Sequence, residues 1–400
     1  MRVAWLRLNR AVSDPAPPLV AAFLLSLAIW VSGPLLVVAQ NRPLDAAGTR
    51  LIVIALVWLG LAAAIRGKHQ LRRRREAAFL RDLAAIDPTL PWGTLCGATG
   101  ARPLHERPWY LVIGPPGVGK TAAILNSGLS FAPDPDAGGG GQAGRGWQIL
   151  PAKEAVLIEI SGGTIPQALI DLLKSRRGQP GLNGIILMAS LSALADGAAG
   201  QPARSVLPAP LLTAIDTGRG ARIPVWVLLT RADLIAGFSE SFPHGSPAPD
   251  HFGFRLPASG RSPRIDPSVQ VAQGFDALVS RLSAQVADSV AVQRDPAAFR
   301  LAIGFPPAMA ALRPRLTEWL AQIFPPDLRE QTVVLQGVWF CSVGGGGRQI
   351  DPLRPVLLRS FGLTRQLPQR GNETRTPMFV NGFFHRILLS EAGQTGAWKG

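Results

Sequence analysis

The run Gly114-Pro115-Pro116-Gly117-Val118-Gly119-Lys120-Thr121 has the G-x-x-x-x-G-K-[ST] spacing of a phosphate-binding loop, and such a loop needs a strand before it and a helix after it. Both are legible. Trp109-Tyr110-Leu111-Val112-Ile113 is an apolar, β-prone run that delivers the loop from a buried strand. Residues 121–125 read as the first turns of a helix. Glycines let the backbone N–H groups turn inward around phosphates, and the helix N-terminus adds a favourable dipole. The phosphate-contacting candidates are therefore Gly114, Gly117, Val118, Gly119, Lys120 and Thr121. Lys120 would reach the β- and γ-phosphates, and the Thr121 hydroxyl would ligate Mg²⁺. The competing reading, a glycine-rich turn with a solvated lysine, lacks a reason for the strand and helix on either side.

An apolar N-terminal region precedes this loop. Residues 19–39 form a run of 21 residues without a charge, long enough to cross a hydrocarbon core as a helix, with Gly33-Pro34 as a kink. Residues 51–65 form a second, shorter apolar run that Ala46-Ala47-Gly48 can extend to a span over about 48–65, with Arg50 and Arg66 able to snorkel outward. Arginines 2, 7 and 10 precede the first span, and Arg66, Lys68 and Arg72 through Arg75 follow the second. The positive-inside bias thus places both ends of the chain in the cytoplasm. A cleavable signal peptide is disfavoured by the length of the first run and by Gln40-Asn41-Arg42-Pro43, which lacks small residues for cleavage.

Charge and cysteine content narrow the classes further. The formal net charge is +15, yet only five of the 41 basic residues are lysines, and the arginines are scattered apart from the 72–75 cluster. No nucleic-acid module spacing appears, which argues against a nucleic-acid partner. The cluster itself reads as a topology signal with attraction to anionic lipid. Cys96 and Cys341 are far apart and fit reduced thiols of a cytoplasmic domain.

Beyond a juxtamembrane helix and linker (67–103), apolar runs alternate with helical patterns, the signature of an α/β fold with a parallel sheet. Strands are expected at 155–158, 184–189 and 225–229, with crossover helices at 165–174 and 211–217. The segment 137–146 holds six glycines in ten residues, and both a switch segment and a plain linker fit it. The domain expectations are a transmembrane hairpin over 1–66, a phosphate-loop NTPase-like domain over 104–245, and a mainly helical subdomain with a short strand region over 246–400. Within the last, 269–294 and 309–323 have helical periodicity and 332–342 reads as strand.

Two further elements bear on nucleotide chemistry. Glu159 is read as following the second buried strand, where an acid would be directed at Mg²⁺, with Gly162 placed to offer its N–H to a γ-phosphate. A solvated glutamate at an ordinary strand end is the other reading. Thr230-Arg231-Ala232-Asp233 ends the third strand in the place of a [NT]-K-x-D base-reading element. There Asp233 would accept two hydrogen bonds from guanine and the Arg231 stem would cover the base. A helix-capping aspartate is the alternative, and ATP against GTP stays open.

At this point the chain resembles the IcmF/TssM proteins of type VI secretion. The likeness runs from Pro108 through the loop to Thr121, then Asn126-Ser127-Gly128-Leu129, then Ile223 to Leu234 with Gly237-Phe238. It is also visible at Gln336-Gly337-Val338-Trp339-Phe340-Cys341-Ser342 and at Phe383-Phe384-His385-Arg386-Ile387-Leu388. The resemblance implies a GTPase-like phosphate-loop domain in an inner-membrane scaffold of a secretion complex, forming homo-oligomers within it. It implies Mg²⁺ with ATP or GTP as the bound species and a TssL-like inner-membrane protein as partner. A TssJ-like lipoprotein would be reached only through a periplasmic region beyond this chain, which implies a fragment or a shortened or split gene. Family members carry Asp-Thr-Ala-Gly where this chain has Glu159-Ile160-Ser161-Gly162, which suits binding without efficient turnover. An active ATPase or GTPase driving assembly or secretion is the alternative.

Overall fold

A computed structural model describes residues 16–32, 46–88, 103–131, 146–161, 165–177, 181–195, 222–242, 249–257, 267–290, 295–325, 333–344, 350–362 and 376–391. The chain divides into two compact units, Met1–Phe79 and Leu80–Gly400.

The first unit holds two apolar helices. Helix α1 is Ala16–Ser32 and α2 begins at Ala47 and runs to Ile86. Their large apolar side chains face outward, as in Leu24, Val31, Leu56 and Leu59. Polar groups between the helices are bonded: the Trp58 indole donates to Ser26 Oγ at 3.1 Å, and the Arg50 guanidinium lies 5.5 Å from the Trp30 ring centroid. Among the described residues only α2 is long and apolar enough to cross a membrane. Of the two expected spans, 48–65 thus lies within a helix of spanning length, and 19–39 is described only as far as Ser32. Residues 33–39 of that first span, Gly33-Pro34 included, lie outside the described residues. The juxtamembrane helix is also not a separate element. It is the continuation of α2, a single helix of 40 residues that carries Arg72–Arg75. Good helix formers (Leu, Arg, Glu, Ala) fill this stretch and nothing in it breaks the backbone ladder.

The larger unit is a mixed α/β structure around a seven-stranded sheet. In chain order its elements are β1 (Trp109–Ile113), α3 (Lys120–Leu125), β2 (Trp147–Pro151), β3 (Val156–Ile160), α4 (Gln167–Arg177), β4 (Gly184–Ser190), α5 (Leu191–Ala195), β5 (Ile223–Thr230) and α6 (Phe238–Ser241). There follow β6 (Phe252–Arg255), α7 (Pro267–Val290), α8 (Pro296–Ala310), α9 (Arg313–Ile323), β7 (Val333–Phe340) and α10 (Arg354–Phe361). The sheet order is β2-β3-β1-β4-β5-β7-β6. The five inner strands are parallel and the two edge strands antiparallel. Strands β1, β3 and β5 are buried at every position, so both faces are covered and the sequence is apolar without alternation apart from Glu159 in β3 and Thr230 at the end of β5.

The expected strands and the 165–174 helix appear within a few residues of their predicted bounds. The 211–217 helix, most of the glycine-rich 137–146 segment and Gly162 lie outside the described residues. Three expectations need correction. Glu159 does not follow its strand; β3 continues through Ile160 because Glu159 pairs across to Gln148 of β2. The 309–323 helix is the end of α8 and all of α9, divided at Ala311 and Leu312, with Pro314 in the first turn of the new helix. The region 246–400 is helical but also contributes β6 and β7 to the same sheet, β7 lying directly beside β5.

Packing on the β7 side is aromatic. Phe238, Phe242, Phe252, Phe305 and Phe379 meet edge-on or tilted, with Phe242 and Phe379 centroids 4.9 Å apart. Each such pair adds about 1 kcal/mol beyond its buried area. The closing segment, with Val380–Gly382, a π-helical Phe383–Leu388 and Leu389–Glu391, straps the strands. Tyr110 Oη donates to Leu388 O at 3.1 Å, Trp226 Nε1 to Glu391 Oε2 at 3.2 Å, and Arg255 pairs with Glu391.

Candidate functional site

Strand β1 has β3 on one side and β4 on the other, so the connection from β1 to the β2–β3 pair and the crossover from β3 to β4 run in opposite directions. In open α/β sheets this is the switch point where a crevice opens beyond the carboxyl ends of the strands. The 114–121 loop leaves β1 there. Gly117 and Gly119 adopt φ of 74° and 91°, left-handed values that a side chain resists. A Cβ on Gly119 would also lie 2.8 Å from Val343 Cγ2, so the segment after β7 presses on the loop.

Lys120 is 4% exposed, and its ammonium donates to the carbonyls of Gly114 and Pro115 at 2.9 and 2.8 Å. Burial lowers its pKa, and the negative charge of Glu159 partly opposes that shift. Thr121 Oγ1 lies 2.9 and 3.0 Å from the two carboxylate oxygens of Glu159 and donates to them. Glu159 is only 1% exposed, which excludes the solvated strand-end reading. Its carboxylate also accepts from Gln148 Nε2 at 2.7 Å and Ser161 Oγ at 3.2 Å.

On the other flank, Thr230 Oγ1 donates to Val118 O at 2.7 Å and Arg231 donates to Gly117 O at 2.8 Å. Arg231 itself is left-handed, at φ 60°. Asp233 is 5% exposed and sits inside a 3-10 turn, Ala232–Leu234, whose N-cap is Arg231. The capping reading of Asp233 therefore fails. Ala232 N donates to Cys341 O at 3.1 Å, which joins this turn to the end of β7. Burial pushes the Cys341 thiol pKa well up, and the Asp233 charge adds to that.

The structure thus gathers Gly114, Gly117, Val118, Gly119, Lys120, Thr121, Glu159, Thr230 and Arg231 around one loop, with Asp233 two residues further along the turn that Arg231 caps. Gly162 alone of the candidates lies outside the described residues. Sequence reasoning missed Gln148, Ser161 and Val343. Gln148 was hidden because β2 is an edge strand containing a polar residue and a proline, with no clear alternation. Val343 follows a segment, 336–342, that was noticed only as a resemblance.

Fold and loop together define a mixed α/β protein with a phosphate-loop sequence motif and an adjoining apolar helical unit. The chain belongs to the IcmF/TssM family: residues 167–398 match the IcmF-related N-terminal domain. It is 32% identical over 321 residues to "Type VI secretion system component TssM1" of Pseudomonas aeruginosa. That match covers 75% of this chain but 29% of the relative. Among solved structures, the cytosolic domain of the T. maritima FeoB iron transporter in a GDP form is similar at 14% identity, over 55% of this chain and 98% of that one. The TM-score is 0.18, too low to bear on the fold.

Proposed function

We propose that this chain is the anchored, nucleotide-binding part of an inner-membrane scaffold in a type VI secretion membrane complex. The observation that carries the nucleotide half is convergence. Three separated sequence elements, the 114–121 loop, Glu159 and the 230–233 turn, meet at the carboxyl ends of β1, β3 and β5 through direct hydrogen bonds. Thr121 and Glu159 offer two hard oxygen donors, the chemistry that Mg²⁺ takes. Among the described residues no group of three or more His, Cys, Asp or Glu side chains comes together. A metal here would therefore rest on Thr121, Glu159 and the nucleotide's own phosphates. It would neutralise phosphate charge, while Lys120 exchanges its loop carbonyls for phosphate oxygens. Gly162 would complete the phosphate side.

For the base we favour guanine, with ATP as competitor. The Asp233 carboxylate is an acceptor matched to the N–H groups of a guanine edge, whereas the adenine ring nitrogen would oppose it. Arg231 holds the turn against the loop through its bond to Gly117 O, and its stem is free to cover the base as expected from the sequence. The site acts as a conformational switch or is vestigial. Turnover, driving assembly or secretion, is the second reading, and the placement of Glu159 on Thr121 is the observation in its favour.

The membrane half rests on family membership, on α2 and on the basic residues around it. In this reading α1 and α2 form a hairpin, both ends of the chain face the cytoplasm, and the scaffold forms homo-oligomers. A TssL-like inner-membrane protein binds it there, and a TssJ-like lipoprotein binds only through a region beyond these residues. The test is co-purification from detergent-solubilised inner membranes of the TssL-like protein with wild type and with Lys120→Ala. Retention by both supports a scaffold that binds independently of nucleotide. Loss from a folded Lys120→Ala overturns that independence, and loss from both overturns the scaffold.

A further inference from the structure

Resting on the Mg²⁺–nucleotide reading above, we propose that Gln148 is a positioning residue for the metal-directed carboxylate, and that it offsets the extra methylene of Glu159. Gln148 and Glu159 are direct partners in the antiparallel β2–β3 register. Directly opposed side chains on one face of such a pair stand about 5 Å apart at Cβ, close enough to interact throughout. The Gln148 amide donates to Glu159 Oε2 at 2.7 Å. On the opposite side the single Thr121 proton is shared between Oε1 and Oε2, at 2.9 and 3.0 Å. The carboxylate is therefore held between strand β2 and the first residues of α3.

The need for that grip follows from covalent structure. An aspartate on a buried strand aims its carboxylate with two torsions. A glutamate has a third, and fixing it costs conformational entropy unless packing or a hydrogen bond holds it beforehand. Gln148 supplies that hydrogen bond. Its chemistry also suits the purpose: a neutral amide orients the carboxylate and leaves its negative charge intact for a cation, which a lysine or arginine in the same place would cancel. Ser161, at 3.2 Å from Oε1, adds a weaker second hold from the residue just past the strand.

The test is the Mg²⁺ dependence of GTP affinity in the full chain in detergent micelles, with EDTA as the metal-free reference. Gln148→Ala should raise the Mg²⁺ concentration for half-maximal binding about tenfold and leave the EDTA affinity unchanged. In a Glu159→Asp background, whose carboxylate needs no third torsion fixed, Gln148→Ala should then have little further effect. Thermal unfolding of each variant shows that the fold is retained. An unchanged Mg²⁺ requirement in Gln148→Ala would overturn the proposal. So would an equal loss of affinity with and without Mg²⁺, which would make Gln148 a packing residue. Wild type that binds GTP with no Mg²⁺ dependence overturns this inference alone; wild type that binds no nucleotide removes the reading beneath it.

Discussion

The two flanks of the phosphate loop are built by different means. On the β5–β7 flank every acceptor is a backbone carbonyl: the Thr230 side chain donates to Val118 O, the Arg231 side chain to Gly117 O, and the Ala232 backbone N–H to Cys341 O. On the β3–β2 flank, side chains hold side chains, in the chain Thr121–Glu159–Gln148. A backbone acceptor is indifferent to which donor reaches it, so an arginine serves where lysine was expected. A side-chain network has no such tolerance, since every member depends on the length and protonation of the next. The 230–233 flank is thereby pre-organised, and the Glu159 flank is the place where small substitutions have specific effects.

The largest expected effect lies between the flanks. Lys120→Ala should weaken nucleotide about 100-fold or more, on the order of 3 kcal/mol, because in the proposed reading it removes the charge that meets phosphate. Isothermal titration checks it, and a loss below fivefold would mean that the lysine does not meet the ligand. Asp233→Asn should weaken GTP about 30-fold and leave ATP unchanged, since it swaps one acceptor oxygen for a donor at the guanine edge. Equal losses for both nucleotides would show that Asp233 only supports the turn.

Gly119→Ala tests the contact between loop and β7 segment. A left-handed backbone costs about 1–2 kcal/mol for a non-glycine residue, and the new methyl meets Val343. The melting temperature should fall, and Val343→Ala in the same chain should restore the steric part but not the backbone part. Full restoration would mean that the backbone term is absent. The smallest effect concerns Cys341. With its pKa pushed up by complete burial, the thiol should resist alkylation at pH 8 in a native Cys96→Ser variant and react on denaturation. Rapid labelling of the native protein would show that the β7 end opens.

Much of this was legible in the sequence, for physical reasons. Strands β1, β3, β4 and β5 are buried on both faces and so appear as unbroken apolar runs. The loop residues are fixed by their spacing. Edge strands β2 and β6 are half-covered and carry Gln148, Pro151, Gly253 and Arg255, so no periodicity marks them. The insertion of β7 beside β5 is a long-range pairing, separated by α6 to α9, which no local pattern reports. For the same reason Gln148 escaped notice: its meaning depends on register across a strand pair. Glu159 was recognised as a site residue but placed after its strand instead of within it, because the partner strand β2 was not seen. Helix α2 read as two elements because its composition changes from apolar to basic, although its backbone does not change at all.

The central claim is that the 114–121 loop, Glu159 and the 230–233 turn form one nucleotide site. Titrating the full chain in micelles with GTP and with ATP, each with Mg²⁺, tests it most directly. The account predicts saturable GTP binding that is tighter than ATP binding, is lost in Lys120→Ala, and is accompanied by little turnover. No binding of either nucleotide by folded wild type would contradict it.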